Sequence, residues 1–119
     1  MNAGVLVVDD DSSFRVLARR LLETAGMTVA GEAGTVRGAL DAVRVLKPSG
    51  VLLDVGLPDG DGITLAGELT TLPGGPRIIL TSSDATLGTA ETVRRSGAAA
   101  FVPKEELSDV PICALFDLD

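Results

Sequence analysis

Val51-Leu52-Leu53-Asp54-Val55-Gly56-Leu57-Pro58-Asp59-Gly60-Asp61-Gly62 is the stretch whose reading decides the fold. Three apolar residues precede one carboxylate, and a loop rich in Gly, Pro and Asp follows. A short apolar run bounded by turn residues reads as a strand buried on both faces. Asp54 then stands where that strand ends. In open parallel sheets, ligand sites gather at the carboxyl ends of the strands. An unpaired carboxylate in a core is costly, so one at that edge is expected to have a chemical task.

Outward from this strand, the chain alternates. Val5-Leu6-Val7-Val8 is β-branched and apolar throughout, as a central parallel strand would be, and Asp9, Asp10 and Asp11 follow it. Ser12 to Thr24 carries Phe14, Leu17, Ala18, Leu21 and Leu22 at helical spacing, with Gly26 as the stop. Thr28 to Ala30 reads as a weak edge strand. A second helix runs from its N-cap, Thr35, to Leu46. After the central strand, Asp61 caps a third helix, and Pro73-Gly74-Gly75-Pro76 breaks the chain. Ile78-Ile79-Leu80 is a fourth strand, ending in Thr81. A fourth helix is expected over about 84–95, although Gly88 and three threonines lower its propensity. Ala98 to Val102 is a fifth strand, followed by Pro103 and Lys104. A short last helix is expected near Asp109, with Pro111 in its first turn.

Five strand–helix alternations in 119 residues imply one α/β domain over 1–119, with a parallel sheet covered on both faces. Aromatics are 3% of the chain, so the core is aliphatic. No apolar run approaches the ~18 residues of a membrane span. The apolar run near Met1 lacks a basic flank, so a cytoplasmic location is expected. The single cysteine, Cys113, has no partner for an internal disulfide and is expected to be a small core residue. A net charge of −7 disfavours nucleic acid or an anionic membrane as direct partner. Without histidine, a Ser-His-Asp triad, a His-based zinc site and a phosphohistidine on this chain are all excluded.

The strand ends deliver Asp9 and Asp10, Asp54, Thr81 and Lys104 to one edge. Converging carboxylates repel, and a hard divalent cation relieves this. Magnesium takes oxygen ligands, so two or three carboxylates and a carbonyl make a plausible site. A carboxylate beside such a metal, a hydroxyl and a lysine is also a competent nucleophile for a phosphoryl group. Each residue has an ordinary reading when taken alone. The acidic triplet can cap the first helix, Asp54 can be a turn residue, and Thr81 a loop hydroxyl. Lys104 can be a solvated lysine and Phe101 a core aromatic. Asp59 and Asp61 are read as turn and cap residues.

The set resembles the receiver domain of bacterial response regulators. The resemblance rests on Val7-Val8-Asp9-Asp10, on Leu52-Leu53-Asp54 with Leu57-Pro58-Asp59-Gly60, and on Leu80-Thr81-Ser82. Gly97-Ala98 and Phe101-Val102-Pro103-Lys104 complete it. It implies a flavodoxin-like doubly wound sheet of order 2-1-3-4-5. It further implies Asp54 as phosphoacceptor, with Mg²⁺ held by Asp10, by Asp9 through water, by Asp54 and by the Gly56 carbonyl. Thr81 would move to the phosphoryl group, Phe101 would turn inward with it, and Lys104 would pair with the phosphoryl oxygens. The implied partners are a sensor histidine kinase or histidine phosphotransfer protein, and a downstream protein or second copy docked on the helix 4–strand 5–helix 5 face. Phe14 is a candidate for kinase docking if exposed, and a core residue if not. Ser82, Gly56, Ser83 and Glu105 depart from commoner family choices.

Three rivals belong to other classes. A haloacid-dehalogenase-type phosphohydrolase would want a second Asp two residues beyond Asp54, where Gly56 stands. A flavin carrier would want a hydroxyl-rich phosphate loop after the first strand and ring-flanking aromatics. A receiver-shaped module that binds partners without phosphorylation would not need the full acidic set. The resemblance therefore favours a stand-alone receiver that is not an enzyme beyond its own phosphorylation and dephosphorylation.

Overall fold

A computed structural model of the chain describes residues 4–116. Five strands form one sheet: β1 (Val5–Val8), β2 (Val29–Ala33), β3 (Gly50–Asp54), β4 (Arg77–Ser82) and β5 (Ala100–Pro103). All pair in parallel, in the order β2-β1-β3-β4-β5. Helices α1 (Ser12–Thr24), α2 (Val36–Leu46), α3 (Gly62–Thr70), α4 (Ala90–Ser96) and α5 (Ile112–Phe116) cover its faces. The α/β class and the strand order are those expected.

Alternation along the central strands divides the core into two layers. Leu6, Val8, Val51, Leu53, Ile78 and Leu80 pack with Ala39 and Val43 of α2 and with Leu65, Ala66 and Leu69 of α3. Val5, Val7, Leu52 and Ile79 pack on the other face, with Phe14, Ala18 and Leu22 of α1 and Ile112 and Phe116 of α5. Full burial of these side chains, at about 1.5–3 kcal/mol each, is the main force holding the strand ends in place.

Side chains set the helix starts. Asp11 accepts from the N–H groups of Ser13 and Phe14, Thr35 from Gly38, and Asp61 from Ile63. Asp59 also accepts from Val36 N–H at 2.7 Å and Arg37 N–H at 3.1 Å. It thereby ties the loop after β3 to the first turn of α2. Between β3 and α3 a two-stranded ribbon pairs Gly56–Leu57 with Gly60–Asp61.

Several boundaries differ from the sequence reading. The fourth helix does not begin at Asp84. Asp84 caps a single 3₁₀ turn, Ala85–Leu87, and Gly88 and Thr89 separate that turn from α4. Asp84 and Thr89 are both capping residues, and the chain uses both. The weak edge strand reaches Ala33 rather than Ala30, and β5 begins two residues later than expected. Pro111 lies just ahead of α5, after a 3₁₀ stretch, Lys104–Asp109. Cys113, expected in the core, is exposed, because Ile112 and Phe116 take the inward face of α5. Phe14 is buried, which favours its core reading.

Candidate functional site

Parallel register brings the chemistry to one edge. Val8 pairs with Leu53, so Asp9 and Asp54 leave neighbouring strands at the same level. Asp54 pairs with Thr81, and Thr81 with Val102, two residues before Lys104.

Asp9 is fully buried. Its N–H donates to Ala33 O at 3.0 Å, and its Oδ1 accepts from Asp11 N–H at 2.9 Å. Lys104 Nζ stands 2.7 Å from Asp9 Oδ2 and 3.7 Å from Asp54 Oδ2. The 2.7 Å contact pairs the ammonium directly with the buried Asp9 Oδ2. The ammonium also lies 4.3 Å from the centroid of the Phe14 ring, a cation–π distance. Lys104 is thus held from three sides.

Asp54, 7% exposed, accepts from Gly56 N–H through Oδ1 at 3.3 Å. Burial, reinforced by the charge of Asp9 and partly offset by Lys104, pushes its pKa up to about 6. Burial works against the charge on Lys104, yet Asp9 and Asp54 hold its pKa above the usual lysine value.

One carboxylate oxygen each from Asp9, Asp10 and Asp54 lies within 4.8 Å of the others. Asp10 is exposed, so the cluster opens to solvent on that side. Hard oxygen donors and an excess of negative charge, three carboxylates against one ammonium, fit a small hard dication such as Mg²⁺.

Thr81 is fully buried beside Asp54, and its hydroxyl donates to Val102 O at 2.7 Å. Phe101 stands apart from the acidic cluster. Its half-buried ring packs on Gly88, where a Cβ would overlap it. The structure therefore brings Asp9, Asp10, Asp54 and Lys104 together, lays Thr81 and Gly56 alongside, and holds Phe101 at the entry to α4.

Sequence reasoning assigned no part to several residues that shape this edge. A Cβ at Gly62 would overlap the carbonyl oxygen of Asp54, so only glycine lets α3 start this close to β3. The glycine directly after the cap Asp61 is the available signal. Asp59 was read as a turn residue, and its role as a cap on α2 depends on contacts 23 residues away. A cavity of about 400 Å³ lined by Leu40, Val43, Leu69 and Leu72 shares no residue with the acidic cluster. It lies beside the amino ends of β3 and β4. No helix among the described residues is long and apolar enough to cross a membrane.

Comparison with known proteins agrees with this geometry. A family model described as response regulator receiver domain matches residues 5–111. The chain is 31% identical to the chemotaxis protein CheY of Thermotoga maritima over 104 residues, covering 87% of each chain. It is 32% identical to a putative transcriptional regulator of Pseudomonas aeruginosa over 111 residues, 92% of this chain but 54% of that protein. The chain thus spans nearly all of one relative and about half of the other. Among solved structures, the receiver domain of the putative response regulator NarL from Mycobacterium tuberculosis superposes with a TM-score of 0.78 at 29% identity. That match covers 95% of this chain and 92% of that one.

Proposed function

We propose, for a chain that belongs to the response regulator receiver domain family, that Asp54 accepts a phosphoryl group from a phosphohistidine on a sensor kinase or phosphotransfer protein. The P–N bond of the donor breaks as an O–P bond to an Asp54 carboxylate oxygen forms. The observation that carries this reading is Lys104 Nζ between Asp9 Oδ2 and Asp54 Oδ2, at the edge where the three carboxylates meet. Asp54 reacts as the carboxylate, so the ammonium beside it favours the reactive form. Lys104 then pairs with the incoming phosphoryl oxygens. Asp10, Asp9, Asp54 and the Gly56 carbonyl would hold Mg²⁺, which supplies charge neutralisation when bound.

Thr81 then exchanges Val102 O for a phosphoryl oxygen, and Phe101 leaves Gly88 for the space vacated. The α4–β5–α5 face changes shape and docks a downstream protein or a second copy of the chain. This reading is of a cytoplasmic signalling domain that catalyses only its own phosphorylation and dephosphorylation.

Incubation with acetyl phosphate and Mg²⁺ should add one phosphoryl group by intact mass. Chelation of Mg²⁺ or Asp54→Asn should abolish the gain. Equal labelling of wild type and Asp54→Asn would overturn the assignment. An unlabelled wild type that still binds its partner would make it a phosphorylation-independent module. Amide exchange with beryllofluoride and Mg²⁺ should change across residues 84–104 more than across α2. Thr81→Ala should remove that distal change.

A further inference from the structure

The geometry points to Arg15 as a positioning residue that sets the affinity of the acidic loop for Mg²⁺ by clamping the peptide between Asp9 and Asp10. This rests on the phosphoacceptor reading and concerns a residue to which that reading gives no task. Arg15 Nη1 donates to the backbone carbonyl of Asp9 at 2.6 Å. A carbonyl and the following amide share one rigid plane, so fixing Asp9 O also fixes the amide of Asp10. The N–H of Asp9 is already held by Ala33 O of β2. The turn from β1 into α1 is thus pinned on both sides just where it presents its two carboxylates. Asp10 is exposed and lacks the packing that orients Asp9, so the clamp matters most to Asp10.

The clamp is itself braced. Arg15 Nε donates to Glu32 Oε1 at 3.0 Å, and Arg19 Nε donates to Glu32 Oε2 at 2.9 Å. Arg15 and Arg19 are one helical turn apart, so one carboxylate on the edge strand bridges both. The guanidinium serves both from fixed, separate nitrogens, Nε to Glu32 and Nη1 to the carbonyl, a spread that the single nitrogen of an ammonium does not reproduce.

Charge and positioning predict opposite signs here. Removing a cation near a dication site should tighten Mg²⁺ on electrostatics alone, whereas losing the clamp should weaken it. Mg²⁺ alone is titrated into the wild-type chain, Arg15→Lys and Arg15→Gln, followed by calorimetry and amide NMR. Both variants should bind Mg²⁺ about tenfold more weakly, the scale of losing an outer-shell support. Arg15→Lys keeps the charge, so its weakening isolates the fork, and it serves if Arg15→Gln does not fold. Unchanged affinity in Arg15→Lys, or equal or tighter binding in Arg15→Gln, overturns the role of Arg15 and leaves the phosphoacceptor reading standing. Failure of the wild type to bind Mg²⁺ overturns both.

Discussion

β1 and β3 are buried at every position, and α1 seals them with Phe14, Ala18 and Leu22. Across the sheet, Val102 is the buried residue of β5, α4 buries only Ser96, and Leu87 is 38% exposed. The acidic edge sits on the first region, and Phe101 with its glycine seat sits on the second. On the proposed reading the carboxylates meet a metal and a phosphoryl group, a task that calls for fixed spacing, which dense packing supplies. The shape change proposed for the second face calls for alternatives of similar energy, which sparse packing leaves open.

Two glycines offer the sharpest way to break that contrast. Gly62→Ala sets a methyl group against the Asp54 carbonyl, in the rigid half, where backbone meets backbone. It should cost about 3 kcal/mol, at the upper end of overpacking, by urea unfolding. A cost near zero would mean that the loop after β3 gives way easily and that the halves differ less than their burial implies.

Asp54→Asn tests the same half by charge. The folded pKa of about 6 lies above the reference 3.8, so the folded chain holds a proton that the unfolded chain releases. This group therefore adds stability at low pH, and the contribution is lost as pH rises from about 4 through 6. With Mg²⁺ chelated at pH 7, Asp54→Asn should be more stable than wild type by about 1–2 kcal/mol. The gap should close as pH falls below 6, and a gap independent of pH would contradict the assignment.

Gly88→Ala is the mild counterpart of Gly62→Ala. The added methyl meets the Phe101 ring, a half-buried side chain with somewhere to go. Stability should fall by about 1 kcal/mol, the lower end of overpacking. Amide shifts should move across residues 84–104 and not in β1. A loss as large as that of Gly62→Ala would show the second region to be as tightly determined as the first.

The same contrast explains what could be read from the chain. Val5–Val8 and Val51–Leu53 announce buried strands because nothing in them tolerates water, and the caps Thr35 and Asp61 work locally. Around α4, local rules compete. Asp84, Gly88 and Thr89 each stop or start a helix, and only packing chooses among them. At the acidic edge, Asp9, Asp10, Asp54 and Lys104 were legible because each ends a strand or follows one within two residues. The Val102 acceptor of Thr81, the Phe14 ring beneath Lys104 and the Arg15–Glu32 brace were not, since each joins elements far apart in sequence.

The cap that Asp59 places on α2 also fixes the length of the loop that bears it. Surface loops commonly accept an inserted residue without penalty. Here an extra glycine between Pro58 and Asp59 would draw the carboxylate off Val36 and Arg37, at roughly 1 kcal/mol for a lost cap. Loop length on the Asp54 side of the sheet is therefore a constrained quantity.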